Sequence, residues 1–304
     1  MRVVITGSTS MIGTALIEEC VKREDEVLAV IRSSTKRMNR LSTSPLVKVE
    51  YADLEELSSI IGDGKPYDVF YHLAWGSTSK DKRDNPVIQE RNIKTTLEAV
   101  NVAHQLGCKK FIGAGSQAEC GYVETRIDEN IECNPESAYG MSKLSAMMLS
   151  KRMCQQLGMT HIWGRIFSVY GIHDNVDTMI NYAIKHFMND ENAEFSIATN
   201  IWNYLYESDA GTMFYLLGKK DVDSGVYNVA SLDSRPLKAY VEEMAKVINT
   251  KGKPYFASKQ QGRLLNLNVD ISKIVKAIDY VPTTDFETGI GHIIESRRKS
   301  GDYR

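Results

Sequence analysis

Along the first 166 residues, short apolar runs alternate with longer segments whose apolar residues recur at helical spacing. The short runs are rich in β-branched residues, as strands are, and lie at Val3–Ile5, Val27–Ile31, Val47–Tyr51, Val69–Leu73, Phe111–Gly113 and Thr160–Ile166. Helical segments fall at residues 11–22, 86–106 and 138–157. This alternation predicts right-handed βαβ units, and therefore a doubly wound parallel sheet of about six or seven strands.

Beyond residue 170 the alternation is looser and the elements are shorter. Helical patterns lie near residues 177–189, 208–218, 236–249 and 270–278, and strand candidates lie near 194–198, 225–230 and 254–257. We therefore expect an α/β chain in two parts. Residues 1–168 would form the doubly wound sheet, and residues 169–304 a smaller C-terminal mixed α/β domain with returns to that sheet.

The composition is that of an ordinary globular protein, with 304 residues, 42% of them hydrophobic and 25% charged. A net charge of −2 gives no basic field, so we expect neither nucleic acid nor a membrane surface as a partner. The five cysteines form no CxxC pair, and the six histidines show no HxH or HxxxH spacing. We therefore expect free thiols, a cytoplasmic location and no metal site.

A glycine turn joins the first predicted strand to the first predicted helix, in the segment TGSTSMIG. Gly7 suits the tight turn, and Gly13 lets the helix approach the strand closely. The backbone amides at the start of the helix, around Ser10, Met11 and Ile12, are suited to bind the pyrophosphate of a dinucleotide. The alternative is an ordinary turn between a strand and a helix.

The residues after the second predicted strand bear on the choice of dinucleotide. NAD-binding proteins usually carry Asp or Glu there for the ribose 2′-hydroxyl, whereas this chain has no carboxylate before its third predicted strand. Arg32 and Arg37, with Lys36, instead suit a 2′-phosphate. We expect NADP(H), with NAD(H) possible and a solvated basic loop as the alternative. Further on, Asp53 and Leu54 would meet the adenine, or Asp53 would cap the next helix.

The strongest chemical signal is the segment YGMSK in the third predicted helix. Its i,i+4 spacing places Tyr139 and Lys143 on one helix face, where the ammonium would lower the pKa of the tyrosine. Ser116 follows a predicted strand, at the sheet edge where such folds place reactive groups. Its hydroxyl would bind the oxygen with which Tyr139 exchanges a proton. A surface Tyr-Lys pair and a serine in a turn are the alternatives.

With these motifs the sequence resembles the extended short-chain dehydrogenase/reductase family, in particular its nucleotide-sugar epimerases, dehydratases and ketoreductases. The resemblance covers nearly the whole chain, through TGSTSMIG, YADL, YHLAWG, ERNIKTT, GSQAECG, NPESAYGMSK, GRIFSVYG, NYLYESD and LNVDISK. It implies a Rossmann-type NAD(P)-binding domain over 1–168 and a mainly substrate-binding domain over 169–304. It also implies Ser116, Tyr139 and Lys143 as the catalytic residues, with Lys143 holding the nicotinamide ribose as well.

The resemblance implies further binding residues for both ligands. Those along the cofactor are Leu73, Ala74, Trp75 and Asn92. Those toward the substrate are Gln117, Ser168, His173, Asn175 and Arg263. Arg165 is a second candidate for an anionic group, and ordinary ion pairs are the alternative for both arginines. For His173 and Asn175, the alternative is a position in a solvent-exposed loop.

Several positions depart from the family pattern. Ser10 replaces a glycine of the phosphate turn, Cys120 stands where tyrosine is frequent, and Trp202 replaces an arginine for the substrate diphosphate. Gln117 and Ala118 stand where the 4,6-dehydratases of the family carry an Asp-Glu pair for elimination of water. We therefore do not expect dehydration.

The sequence predicts NADPH-dependent reduction of a 4-keto, 6-deoxy nucleotide-sugar, with Tyr139 as the proton donor. The alternatives are an NAD(P)-dependent nucleotide-sugar epimerase and, in another class, a non-catalytic NADP(H) sensor. Apolar stripes on two helices, which include Leu97 and Met148, match the four-helix dimer interface of the family. We therefore expect a homodimer.

Overall fold

The chain forms a large parallel sheet and two small sheets in the computed structural model, which describes residues 1–79, 81–260 and 262–300. The strands are β1 (Arg2–Thr6), β2 (Glu26–Ile31), β3 (Val47–Tyr51), β4 (Val69–His72), β5 (Lys110–Ser116), β6 (Thr160–Ile166), β7 (Ser168–Tyr170), β8 (Ala193–Phe195), β9 (Ile201–Tyr206), β10 (Gly225–Val229), β11 (Ser234–Pro236) and β12 (Pro254–Phe256). The large sheet has seven parallel strands in the order β10-β6-β5-β4-β1-β2-β3. The predicted doubly wound sheet is confirmed.

The helices are α1 (Met11–Lys22), α2 (Pro86–Gln105), α3 (Ala138–Gln156), α4 (Met179–Met188), α5 (Glu207–Lys219), α6 (Leu237–Ile248), α7 (Ser272–Ile278) and α8 (Phe286–Ser300). Four of them begin at a Ser, Thr or Asn whose side chain accepts a backbone N–H of the first turn: Ser10, Asn85, Ser137 and Thr178. The sequence predicts α1 to α7 to within a few residues. It misses α8, whose buried apolar residues form a narrow stripe in an otherwise polar segment.

The two faces of the large sheet are covered by different helices. Val3 and Ile5 of β1 lie in one apolar cluster, together with Leu16 of α1 and Phe214 of α5. Val4 faces the opposite side and lies in a second cluster with residues of α2 and α3. This alternation follows from the period of two in a strand, and burial of each such side chain contributes about 1.5–3 kcal/mol.

A third apolar cluster lies among α4, α6, α8 and the two small sheets, and is rich in aromatic rings. The three-stranded sheet has the order β11-β9-β7, and the two-stranded sheet pairs β12 with β8. Other late elements belong with the large sheet, because α5 and α7 contribute to its core and β10 is its edge strand. The division at residue 168 stays a prediction, and residues 301–304 of the predicted second domain lie outside the described residues.

Because the strands of the large sheet are parallel, their carboxyl ends meet at one edge. There β1 ends at Thr6, β2 at Ile31, β4 at His72 and β5 at Ser116. In open α/β sheets, ligands bind in the crevice outside this edge. The chain order thus brings together segments that are far apart in the sequence.

Candidate active site

A cleft of about 900 Å³ opens at the carboxyl edge of the large sheet. Its walls combine the predicted glycine turn, the basic segment after β2, the segment after β4 and the predicted catalytic residues. The described residues that line it all lie between Thr6 and Ser168. Those named from the sequence are Gly7, Ser10, Arg32, Arg37, Leu54, Leu73, Ala74, Trp75, Ser116, Gln117, Tyr139, Lys143 and Ser168.

The glycine turn has the geometry of a phosphate cradle. Gly7 has φ +74°, and a Cβ on it would lie 2.8 Å from the backbone nitrogen of Ala74, so a larger residue would clash. Ser10 has an ordinary φ of −77° and caps α1 by accepting the N–H of Gly13 at 3.1 Å. Serine therefore fits where the family pattern has glycine. Met11 and Ile12 add the free N–H groups of the first helical turn, without lining the cleft themselves.

The wall after β2 is basic. Arg32, Lys36 and Arg37 line the cleft together with hydroxyl-bearing neighbours. Asp53, the first carboxylate after β3, is absent from the described cleft wall, and its side chain makes no capping hydrogen bond. Of the two adenine candidates, Leu54 alone lines the cleft.

The three predicted catalytic residues meet in the cleft. Tyr139 lies in the first turn of α3 and lines the cleft together with Ser116 at the end of β5, whose side chain acts to lower the pKa of Tyr139. Lys143, one turn further along α3, donates from Nζ to the carbonyl oxygen of Ala114 at 2.7 Å. Its ammonium lies 3.6 Å from the ring centroid of Trp75. The i,i+4 pair therefore lines the cleft beside the last residues of β5.

The sequence analysis predicts a lowered pKa for Tyr139, and this prediction is wrong. Burial raises the pKa of Tyr139 above its usual value of 10, although the Ser116 hydrogen bond and the Arg83 guanidinium act to lower it. Lys143 is itself buried, and this lowers its pKa to about 7 against the opposing influence of Glu119. The loss of hydration thus outweighs the proximity of the two side chains.

Asn92 supports the cleft from behind. It is buried in α2 and brackets Gly76, accepting its N–H at 2.7 Å and donating to its carbonyl oxygen at 3.2 Å. The sequence assigns Asn92 to the cofactor, but the residue does not line the described cleft. The side-chain amide of Asn92 is instead hydrogen-bonded to the backbone after β4, and it orders the segment that lines the cleft.

The substrate-side residues divide into two groups. Gln117 and Ser168 line the cleft, whereas His173, Asn175 and Arg263 lie outside its described wall. Arg263 is largely exposed, pairs with Glu136 at 3.1 Å and stacks on Tyr122. The ion-pair alternative therefore describes Arg263 in this structure.

His173 and Asn175 belong to a loop after β7 that is tied to other parts of the chain. The backbone N–H of His173 and that of Ile172 donate to the buried carboxylate of Glu207. The carbonyl oxygen of Asn175 accepts from Asn181 at 2.7 Å. These contacts hold the loop away from the described cleft.

The family description that matches residues 3–230 is the NAD dependent epimerase/dehydratase family. The chain belongs to this family. The resemblance drawn from the motifs is confirmed, and the chain is an NAD(P)-dependent enzyme, an oxidoreductase or an epimerase.

Curated relatives of the chain are similar over nearly their full length. The uncharacterized UDP-glucose epimerase YtcB of Bacillus subtilis is 23% identical over 305 residues, covering 95% of this chain and 96% of the relative. The dTDP-4-dehydro-6-deoxyglucose reductase of Escherichia coli is 25% identical over 311 residues, covering 97% of both. Among solved structures, a UDP-N-acetylglucosamine 4-epimerase from Methanobrevibacter ruminantium M1 matches 98% of both chains with a TM-score of 0.88 and 21% identity. This structural likeness establishes the fold.

One buried carboxylate of the site is missed by the sequence analysis. Glu119 accepts the N–H of Ser116 at 2.7 Å, Nε1 of Trp163 at 2.9 Å and Nε of Arg165 at 3.2 Å. Arg165 therefore forms a buried ion pair with Glu119, which is the ion-pair alternative considered for this arginine. The Ser-x-x-Glu spacing of residues 116–119 is a capping-box pattern that could have revealed this fixed carboxylate.

Two searches of the described residues bear on other site types. In residues 1–79, 81–260 and 262–300, no group of three or more His, Cys, Asp or Glu side chains is placed to hold a metal ion. Within the same ranges, no helix has both the length and the apolar character needed to cross a bilayer.

Proposed function

We propose that the enzyme uses NADPH to reduce a 4-keto, 6-deoxy nucleotide-sugar. The observation that carries this proposal is the basic wall of Arg32, Lys36 and Arg37 at the adenosine end of the cleft. Three cations and no carboxylate favour a ribose 2′-phosphate over a free 2′-hydroxyl. A cofactor that must be renewed in each cycle fits a net reduction better than an epimerisation, which regenerates its own cofactor.

The relatives support the substrate class. The Escherichia coli relative is named as a dTDP-4-dehydro-6-deoxyglucose reductase, and the Bacillus subtilis relative as a UDP-glucose epimerase. Both names refer to a hexose attached to a nucleoside diphosphate. Gln117 and Ser168, which line the cleft near Ser116, are the residues proposed to contact the sugar.

The residues of the cleft have separate roles in the proposed reaction. A bound reduced nicotinamide supplies hydride to the carbonyl carbon. Ser116 donates a hydrogen bond to the carbonyl oxygen and orients that oxygen toward Tyr139, which lines the same cleft. Tyr139 gives its proton to that oxygen. Lys143, held against Ala114 and Trp75, is placed to bind the nicotinamide ribose.

Cofactor preference is the first test. Purified, nucleotide-free protein is titrated with NADPH and with NADH, and the fluorescence of the reduced nicotinamide is followed. We expect NADPH to bind at least about tenfold more tightly, a difference of about 1.4 kcal/mol. Equal or tighter binding of NADH would contradict the assignment of the basic wall. A panel of nucleotide-linked 4-keto-6-deoxy hexoses with NADPH then tests the reaction itself.

Epimerisation is the second candidate, favoured by the Bacillus subtilis relative and by the name of the family. An epimerase would retain its nicotinamide cofactor through purification and interconvert UDP-hexoses with no cofactor added. A reductase would consume one NADPH for each ketone reduced. Parallel assays of these two activities on the same preparation distinguish the candidates.

The proposal includes a homodimer and a cytoplasmic location. Support for the dimer comes from exposed apolar side chains on α3, at Met141, Met148 and Leu149, and from Val87 on α2. Support for the location comes from the cysteine pattern, since all five thiols are free. A mass in solution close to that of one chain, 34.2 kDa, would contradict the dimer.

A further inference from the structure

A cation from outside the Tyr-Lys helix lies over the proposed proton donor. The guanidinium carbon of Arg83 is 4.2 Å from the ring centroid of Tyr139, and Arg83 lines the cleft beside it. No ion pair of Arg83 is found within the part of the chain that the structure describes. Arg83 is exposed to solvent, and its guanidinium contacts the tyrosine ring at the cleft wall.

The segment that carries Arg83 is fixed on both sides. The carboxylate of Asp84 accepts the backbone N–H of Ala138, the residue before Tyr139, at 2.8 Å. On the other side, Gln89 donates from Nε2 to the carbonyl oxygens of Ser77 at 2.8 Å and Lys82 at 3.2 Å. The loop between β4 and α2 is thus joined to the first turn of α3.

The ionisation of Tyr139 is subject to opposing influences from several elements. Burial and the Glu119 carboxylate, which comes from the segment after β5, raise its pKa. The Ser116 hydroxyl and Arg83 lower it. Lys143 on the same helix lies with Nζ 5.9 Å from the ring centroid. Glu119 is itself paired with Arg165, and the cations that lie close to the Tyr139 ring are Arg83 and Lys143.

We propose that Arg83 is a positioning residue for the reaction, whose guanidinium stabilises the negative charge on Tyr139 when the hydroxyl gives up its proton. This inference rests on Tyr139 as the proton donor of the proposed function. In that step the Oη–H bond of Tyr139 breaks, the substrate oxygen gains the proton, and the phenolate keeps the electron pair. The attraction between Arg83 and the ring then changes from a cation–π contact to a contact between opposite charges.

The ionisation of Tyr139 can be measured without substrate. Absorbance near the phenolate band is recorded against pH for the wild-type protein and for Tyr139→Phe, and the difference between them isolates this one tyrosine. In an Arg83→Gln background, the midpoint of the same difference is expected about one pH unit higher. Raising the salt from about 0.01 M to about 1 M should reduce the difference in midpoint between Arg83→Gln and the wild-type protein, because salt screens the guanidinium.

The matched control is Lys82→Gln, which removes one positive charge from the neighbouring position of the same loop. Lys82 does not line the described cleft, so its removal should leave the midpoint in place. NADPH titration of each variant checks that the fold and the cofactor site are intact. A shift in Arg83→Gln and none in Lys82→Gln supports the proposal.

An unchanged midpoint in Arg83→Gln would overturn the proposal. If the KM for the sugar then also rose several-fold, Arg83 would be a contact for an anionic group of the substrate. Failure of the proposed function is separate, because a protein that lacks reductase activity still reports the ionisation of Tyr139.

Discussion

The two ends of the cleft differ in how their residues are placed. The cofactor wall, which runs from Gly7 to Arg37, follows directly from local backbone geometry at the ends of β1 and β2. On the substrate side, three of the five predicted residues lie outside the described cleft. Local rules such as turns, helix caps and strand ends act over a few residues and can be read from sequence. Loops after β7 are placed by distant contacts, such as that of Glu207 with the N–H of Ile172.

Tyr139→Phe tests the junction between the two ends and has the largest expected effect. Turnover should fall by about 10²- to 10⁴-fold, because the variant lacks the hydroxyl that we propose as the proton donor. The ring that meets Trp75 edge-on at 6.0 Å is kept, so NADPH binding should be unchanged. Steady-state kinetics and the fluorescence titration measure the two effects. Tyr122→Phe, at an exposed position, is the control and should keep normal turnover. Near-normal turnover in Tyr139→Phe would show that the proposed mechanism is wrong.

The same contrast explains how much of the site the sequence could predict. The i,i+4 spacing of Tyr139 and Lys143 places them together whatever the rest of the chain does. Gly7 is predictable because only a turn residue fits between β1 and α1. Arg83 was not predictable, because its position over Tyr139 depends on long-range contacts of its segment, such as that of Asp84 with α3. The direction of the tyrosine pKa was also beyond spacing arguments, since it depends on burial.

Glu119→Ala is expected to have the next largest effect, on stability. It leaves Arg165 buried with its partner removed, which costs about 3–5 kcal/mol of the free energy of unfolding. Urea denaturation measures the loss. The matched control is Glu136→Ala, which breaks the exposed pair with Arg263 and should cost less than about 1 kcal/mol. Equal losses in the two variants would mean that the buried pair is not a structural support of the catalytic end.

Glu207→Gln tests the contact that places the loop after β7, through the pH dependence of the free energy of unfolding. Burial raises the pKa of Glu207 from its usual 4.5 to about 7. The folded chain therefore binds the Glu207 proton more tightly than the unfolded chain does. The stability that this protonated side chain contributes is present below pH 4.5 and is lost as the pH rises through about 7. The loss amounts to at most about 3 kcal/mol. For His72, the last residue of β4, the pH dependence has the opposite sign, because burial lowers the pKa of His72 to about 3.

In Glu207→Gln the decline in the free energy of unfolding between pH 5 and pH 8 should be smaller than in the wild-type protein, by up to about 3 kcal/mol. Urea denaturation at several pH values in this range measures it. Glu90→Gln, at an exposed position on α2, should leave the decline unchanged. A wild-type decline that persists in Glu207→Gln would place its origin in another group.

Arg32→Gln has the smallest expected effect and addresses the cofactor wall directly. The variant would lose the charge-assisted contact that we propose between Arg32 and the 2′-phosphate, so NADPH should bind about tenfold more weakly, a loss of about 1.4 kcal/mol. NADH lacks that phosphate, and its affinity should stay the same. Arg91→Gln removes an equal charge from α2, outside the described cleft, and should change neither affinity. If Arg32→Gln weakened both cofactors equally, the arginine would support the wall as a whole, and the proposed NADPH preference would lose its structural basis.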